Sequence, residues 1–227
     1  MTGIELVVLD MAGTTVADDG LVERAFTAAL DAVDVPDAER PPMLDYVRRT
    51  MGESKITVFR ALLDEDRAQR ANRAFEAAYT ELADAGECAE IPGATEAIRR
   101  MRSAGAKVAL TTGFSAGTQQ RILDTLGWHE LADLVLNPAE AGRGRPYPDM
   151  VLTAVLRLGA TDVRRVAVVG DTAYDVRSGL NAGAGVVVGV TSGAHDRDTL
   201  LGAGAGHCLD SVAELPELLA EQEQEEH

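Results

Sequence analysis

Lysine is nearly absent from this chain. Its 227 residues include two lysines, Lys55 and Lys107, against 19 arginines. Where a positive charge alone is needed, arginine serves as well. Where an amine must lose its proton and attack, arginine fails, because a guanidinium stays protonated. Lys107 stands before an apolar run and reads as a solvated edge residue, which leaves Lys55 to be explained. Cysteine is equally scarce. Cys88 and Cys208 lie far apart, with no metal or redox spacing, and read as ordinary thiols in a reducing, cytoplasmic compartment. Basic charge is in deficit: 21 Lys and Arg against 37 Asp and Glu leave a formal net charge of −16. Such a chain repels phosphate backbones and anionic lipid, so neither nucleic acid nor a membrane surface is an expected partner. No apolar run approaches the roughly 18 residues that span a bilayer. No basic stretch followed by an apolar one opens the chain, so no secretory leader is expected.

What is present is a globular composition, 46% hydrophobic, long enough for one large domain or two small ones. Short apolar runs at Leu6–Leu9, Val108–Leu110, Leu134–Leu136, Val166–Val169 and Val186–Val190 suit strands buried on both faces. A further short strand is expected near His207–Leu209. Helical patterns at Ala94–Ser103, Ala116–Leu126, Pro148–Leu158 and Asp175–Ala182 separate the strands, and a last helix is expected over Val212–Glu221. The alternation implies an α/β fold with a parallel, Rossmann-like sheet. Residues 18–91 differ. They contain no convincing strand, and apolar positions recur at three and four, as in Val22, Ala25, Phe26, Ala29 and Leu30. The expected division is a core of residues 1–17 and 92–227 with an inserted helical domain of residues 18–91. Pro92-Gly93 marks the return to the sheet. The glycine stretches Gly183–Gly185 and Gly202–Gly206 do not follow a first strand and read as loops, not as a dinucleotide fingerprint.

Ligands of open parallel sheets sit beyond the carboxyl ends of the strands. The first strand runs into Asp10-Met11-Ala12-Gly13-Thr14-Thr15 and the second into Thr111-Thr112-Gly113. Beyond the third come Arg143-Gly144-Arg145-Pro146, and the fourth runs into Gly170-Asp171-Thr172-Ala173-Tyr174-Asp175. Helix capping explains any one of these segments, but explains all four together poorly. Three carboxylates, several hydroxyls and a cation on one rim suit phosphoryl-type transfer. Carboxylates hold Mg2+ through oxygen, helix starts and hydroxyls cradle phosphate oxygens, a fixed cation balances charge, and a carboxylate can itself attack phosphorus.

Taken in order, "DMAGT", "TTG", "GRPYPD" and "GDTAYD" resemble the four motifs of the haloacid dehalogenase superfamily of hydrolases. The resemblance covers essentially the whole chain and implies a helical cap inserted after the first motif. It implies Asp10 as nucleophile and Mg2+ ligand, and Ala12 as a ligand through its backbone carbonyl. Asp171 and Asp175 complete the expected metal shell, and Arg145 stands where many members have lysine. Thr111 or Thr112, with Gly113, would bind the phosphoryl oxygens. Phosphatases of this superfamily carry a second aspartate where this chain has Ala12, and losing that general acid removes roughly 10²–10⁴-fold of rate.

One branch of the superfamily has this alanine: the phosphonatase branch, resembling phosphonoacetaldehyde hydrolase. Its motifs are similar to "DMAGTT" and "GRPYP", and its cap segment resembles "MGESKITVFRAL", Met51 to Leu62, including Gly52. In that branch the lysine at the position of Lys55 forms a Schiff base with an aldehyde, and the iminium accepts electrons as the carbon–phosphorus bond breaks. The substrate expected from the resemblance is phosphonoacetaldehyde or a related carbonyl phosphonate. The alternatives for Lys55 are a charge clamp in a phosphatase acting on a small phosphorylated metabolite, or a surface lysine. A binding protein on an inactive scaffold is the further reading, opposed by the intact Asp10, Asp171 and Asp175. The branch has tryptophan, histidine and tyrosine where this chain has Met11, Val58 and Phe114, changes expected to strip polar groups from the pocket. Tyr46, Arg48 and Arg49 are weaker candidates for the cap's contribution. Relatives pair through their caps, which leaves room for a homodimer, and hinges are expected at Val16–Gly20 and Ile91–Gly93.

Overall fold

β1 (Leu6–Asp10) is buried along its whole length in the computed structural model, which describes residues 3–225. It lies between β2 (Lys107–Thr111) and β4 (Val166–Gly170), with Val8 opposite Ala109 on one side and Val168 on the other. β3 (Leu134–Leu136) extends the sheet beyond β2, while β5 (Val186–Val190) and β6 (His207–Leu209) extend it beyond β4. The six strands are parallel, in the order β3-β2-β1-β4-β5-β6. Strand side chains alternate between faces. Val7 and Leu9 pack on one face with α5 (Ala94–Ser103) and α6 (Ala116–Leu126). Leu6 and Val8 pack on the other with Val151 and Ala154 of α8 (Asp149–Leu158). Each buried valine or leucine among them contributes roughly 1.5–3 kcal/mol by leaving water.

Four helices lie between β1 and α5: α1 (Leu21–Ala32), α2 (Arg40–Arg49), α3 (Lys55–Leu62) and α4 (Glu65–Asp84). The buried positions of α4, Ala68, Ala71, Phe75, Tyr79 and Ala83, keep a spacing of three and four and face α1. Asp64 starts this helix by accepting the Arg67 N–H at 3.0 Å. Phe26 of α1, Phe59 of α3 and Phe75 of α4 form an aromatic cluster, with centroids 4.8 Å apart for Phe26–Phe59 and Phe26–Phe75. Phe114, from the loop after β2, joins it 4.6 Å from Tyr79. The inserted helices and the sheet thus share one continuous apolar core.

The remaining elements are α7 (Pro138–Ala141), α9 (Ala173–Ala182), α10 (Arg197–Gly202) and α11 (Leu215–Glu225). Three helix starts differ from the sequence expectation. α8 begins at Asp149, because Pro148 acts as its N-cap. α9 begins two residues early, because Thr172 and Asp175 cap it reciprocally. The last helix begins at Leu215, after a separate 3-10 turn that Ser211 caps. Lys107 is the first residue of β2, an interior strand, with its amine 3.7 Å from Asp133; it is exposed because it stands at the strand's start, not because the strand is an edge. The stretches Gly183–Gly185 and Gly202–Gly206 precede β5 and β6, at the opposite end of the sheet from the acidic rim. Among the described residues no helix is long and apolar enough to cross a membrane.

Candidate active site

Asp10 is the last residue of β1 and is buried at the carboxyl end of the central strand. Immediately after it the chain turns tightly. The Met11 carbonyl accepts the N–H groups of Thr14, Thr15 and Val16 at 3.2, 2.9 and 2.7 Å. The turn needs glycine at position 13: its φ is +87°, and a Cβ there would lie 2.4 Å from Asp171 Oδ2. Asp171 follows β4. It accepts Thr14 Oγ1–H at 3.2 Å and the Ala194 N–H at 2.7 Å. Asp175 sits in the first turn of α9 and accepts the Thr172 N–H at 3.1 Å. Arg145, almost wholly buried, reaches this cluster from the loop after α7. It pairs with Asp10 at 2.7 Å and with Asp175, and donates to Thr111 Oγ1 at 2.6 Å. Arg143, two residues away, points outward to Asp149 at 2.7 Å.

One carboxylate oxygen from each of Asp10, Asp171 and Asp175 lies within 4.8 Å of the others. Three buried carboxylates face one guanidinium, so the cluster carries surplus negative charge. Burial and the neighbouring Asp175 push Asp171 up to about 7. Burial raises Asp10 well above the usual carboxylate range, against the pull of Arg145. Hard oxygen donors, converging and short of positive charge, fit a divalent cation of the Mg2+ type.

Lys55 opens α3 and is 9% exposed, which excludes the surface-lysine reading. Its Nζ lies 5.2 Å from the ring centroid of Phe114 and 5.9 Å from that of Phe26. Burial lowers its pKa, opposed chiefly by Asp18 and Asp10. The preceding residues press on the sheet loops. Gly52 has φ +95°, and a Cβ there would lie 2.5 Å from Thr172 Oγ1; one on Gly113 would lie 2.9 Å from the Glu53 carbonyl. Between them remains a cavity of about 30 Å³, bordered by Asp10, Ala12, Gly52, Lys55, Thr112, Gly113 and Arg145. That is room for roughly two waters.

Thr111 and Thr112 differ in place. Thr111 is held between Arg145 and the Leu9 carbonyl, whereas Thr112 borders the cavity. The expected loss of polarity from the pocket is corrected at two of its three positions. Met11 and Val58 are sealed in the apolar core, and Phe114 alone of the three borders the cavity. Arg48 pairs with Glu23 and with Asp45 at 2.7 Å; it, Tyr46 and Arg49 lie away from the cavity. The two expected hinge segments run side by side. Ala17 N–H donates to the Ala89 carbonyl and Ile91 N–H to the Thr15 carbonyl, both at 2.9 Å.

Several site residues escape the sequence reading. Thr14 and the Ala194 N–H orient Asp171, and Ser192 Oγ–H donates to the Gly13 carbonyl at 2.8 Å. His195 Nδ1 accepts the Ala173 N–H at 2.9 Å. Three of these belong to the loop after β5. The signal for them is the rule that identifies the first four segments, carried one strand further. Asp18 also borders the cavity; its signal is only an acidic residue at a helix start.

A family model described as haloacid dehalogenase-like hydrolase matches residues 4–183. The chain is 29% identical to the probable phosphatase IndB of Dickeya dadantii, over 92% of this chain and 91% of that protein. It is 26% identical to the phosphonoacetaldehyde hydrolase of Bacteroides fragilis, over 96% of this chain and 97% of that protein. A crystal structure of a phosphonoacetaldehyde hydrolase-like protein from Oleispira antarctica superposes with a TM-score of 0.84 at 23% identity, covering 97% of this chain and 93% of that one.

Proposed function

The chain belongs to the haloacid dehalogenase-like hydrolases, and on that premise we propose that it cleaves the carbon–phosphorus bond of phosphonoacetaldehyde or a related carbonyl phosphonate. The observation that carries this reading is the burial of Lys55 in the same small cavity as Asp10, opposite an alanine at position 12. A phosphate ester needs a proton for its departing oxygen, and Ala12 has none to give. A carbonyl phosphonate needs an amine to turn its carbonyl into an electron sink, and Lys55 supplies one.

Mg2+, held by Asp10, Asp171 and the Ala12 carbonyl with Asp175 in support, would screen the charge between nucleophile and phosphonate. Arg145, fixed by Asp10, Asp175 and Thr111, adds a permanent positive charge beside the attacked phosphorus. Thr112 and the Gly113 backbone face the cavity where phosphoryl oxygens would lie. Neutral Lys55 attacks the carbonyl carbon and, with loss of water, gives an iminium. Asp10 then attacks phosphorus. The carbon–phosphorus pair moves into the iminium, leaving an enamine on Lys55 and a phosphoryl group on Asp10, which water hydrolyses. In this reading residues 18–91 act as a lid over a core of residues 1–17 and 92–227, because the closed cavity admits only water.

The test is phosphate release with Mg2+ from phosphonoacetaldehyde, beside a panel of sugar and alcohol phosphates. Release confined to the aldehyde, blocked by borohydride with mass added at Lys55, supports the reading; chelation of Mg2+ should abolish release. A second reading is favoured by the likeness to a probable phosphatase: a phosphatase of small phosphorylated metabolites in which Lys55 is a charge clamp. Release from phosphate esters alone, retained in Lys55→Arg, would establish it.

A further inference from the structure

Imine formation at Lys55 requires a group that takes a proton from the ammonium and returns it to the departing carbonyl oxygen. Ala12 cannot do this, and Val58, one turn along α3, is sealed in the apolar core. Asp10, Arg145 and Asp171 already have roles. The remaining titratable group bordering the cavity, among the described residues, is Asp18.

Asp18 stands at the end of the outgoing linker. Its Oδ1 accepts the Val22 N–H at 2.9 Å, which fixes the carboxylate at the start of α1. Its Oδ2 has no protein donor among the described residues. Lys55 enters the same space from α3, against two aromatic rings and, among the described residues, with no carboxylate in direct contact. Asp18 and Lys55 therefore border one cavity that holds roughly two waters, and a proton passes readily through one such water. We propose that Asp18 is the proton-transfer partner of Lys55 in imine formation, an inference that rests on the carbonyl-phosphonate reading above.

The step balances as follows. Asp18 carboxylate takes one proton from the Lys55 ammonium. The neutral amine adds to the carbonyl carbon, forming the N–C bond and moving one N–H proton to oxygen. Asp18 then protonates the carbinolamine hydroxyl, which leaves as water. The nitrogen lone pair forms the C=N bond, and Asp18 is again ionised. The environment favours this exchange at both ends. Burial raises Asp18, which faces Lys55, Asp19 and Glu23. Burial lowers Lys55, which faces Asp18, Asp10, Arg145 and Asp171, with Asp18 the largest of these charges.

Acetaldehyde with borohydride isolates this step from the phosphorus chemistry, read as the rate of mass addition at Lys55. Asp18→Asn and Asp18→Ser keep an oxygen to cap α1, so the fold is retained while the acid is lost. Trapping in both should slow by roughly 10²-fold with the acidic limb of its pH profile displaced, and Asp18→Glu should recover part of the rate. Trapping in either folded variant at the wild-type rate and pH profile overturns the inference while leaving Lys55 as the imine-forming residue. No adduct at Lys55 in the wild-type protein overturns both the inference and the reading beneath it.

Discussion

Lys55 is held where a lysine is costly, and the cost has a sign. Its folded pKa lies below its unfolded value near 10.4. Between those values the unfolded chain binds more protons, so stability rises with pH across that window. Below the folded pKa the whole destabilisation is present. Lys55→Met should therefore melt higher than wild type at pH 7, with the gap narrowing as pH approaches 10, while imine trapping is abolished. Thermal denaturation at a series of pH values checks this. Gly13 carries a different constraint, since any side chain there meets Asp171. Gly13→Ala should cost of order 1–3 kcal/mol in backbone strain and at least roughly 10²-fold in turnover by displacing a carboxylate; paired melting and rate measurements separate the two effects. Asp10 and Asp171 were legible because an acid at the end of an apolar strand is anomalous, whereas Asp175, inside the first turn of α9, was named as a metal-site residue only through the motif resemblance. The choice between Thr111 and Thr112 was not, because it depends on where β2 ends and on what Arg145 grasps, and Arg145 lies 34 positions from Thr111 in sequence.

At the scale of elements, the turn before α3 presses on the loops that follow β2 and β4. Gly52 abuts Thr172 so tightly that a methyl group would separate the segment from the β4 loop. Gly52→Ala should lower kcat/KM by about tenfold, equivalent to ~1.4 kcal/mol of closure, with KM rising more than kcat falls. Steady-state kinetics on the active substrate decides it. The helices and strands themselves were legible, since short apolar runs and a helical periodicity near 3.6 are local properties of the chain. Helix starts were less so. Those of α8, α9 and α11 moved by one to three residues, where a proline, a reciprocal cap or a 3-10 turn set the first hydrogen bond. The loop after β5 holds Asp171 through the Ala194 backbone N–H, a group every residue type but proline possesses, and so this contact left little trace in the sequence.

For the molecule as a whole, the inserted helices connect to the sheet through two chains bonded to one another near Val16 and Glu90. Pro92, exposed beside this pair, stiffens the return path. Pro92→Ala should change stability by at most about 1 kcal/mol yet alter turnover measurably, as judged by melting and by kcat; an unchanged kcat would remove this linker from the proposed opening motion. The parallel sheet, the insertion and the rim were all legible from strand order and the loops that follow. That the insertion shares its aromatic core with the sheet was not, because Phe114 lies 39 positions from Phe75 and 35 from Tyr79.

That shared core has a thermal consequence. In the proposed lid motion, lifting the inserted helices would draw Phe114 away from Tyr79 and Phe75, exposing apolar surface that closure would bury again. Hydration of such surface raises heat capacity, so ligand capture with closure carries a negative heat-capacity change. Cooling weakens the apolar contacts and favours the open form. On the lid reading the seam between the inserted helices and the sheet is a thermometer, and the affinity of the site for its substrate should vary with temperature along a curve rather than a straight van't Hoff line.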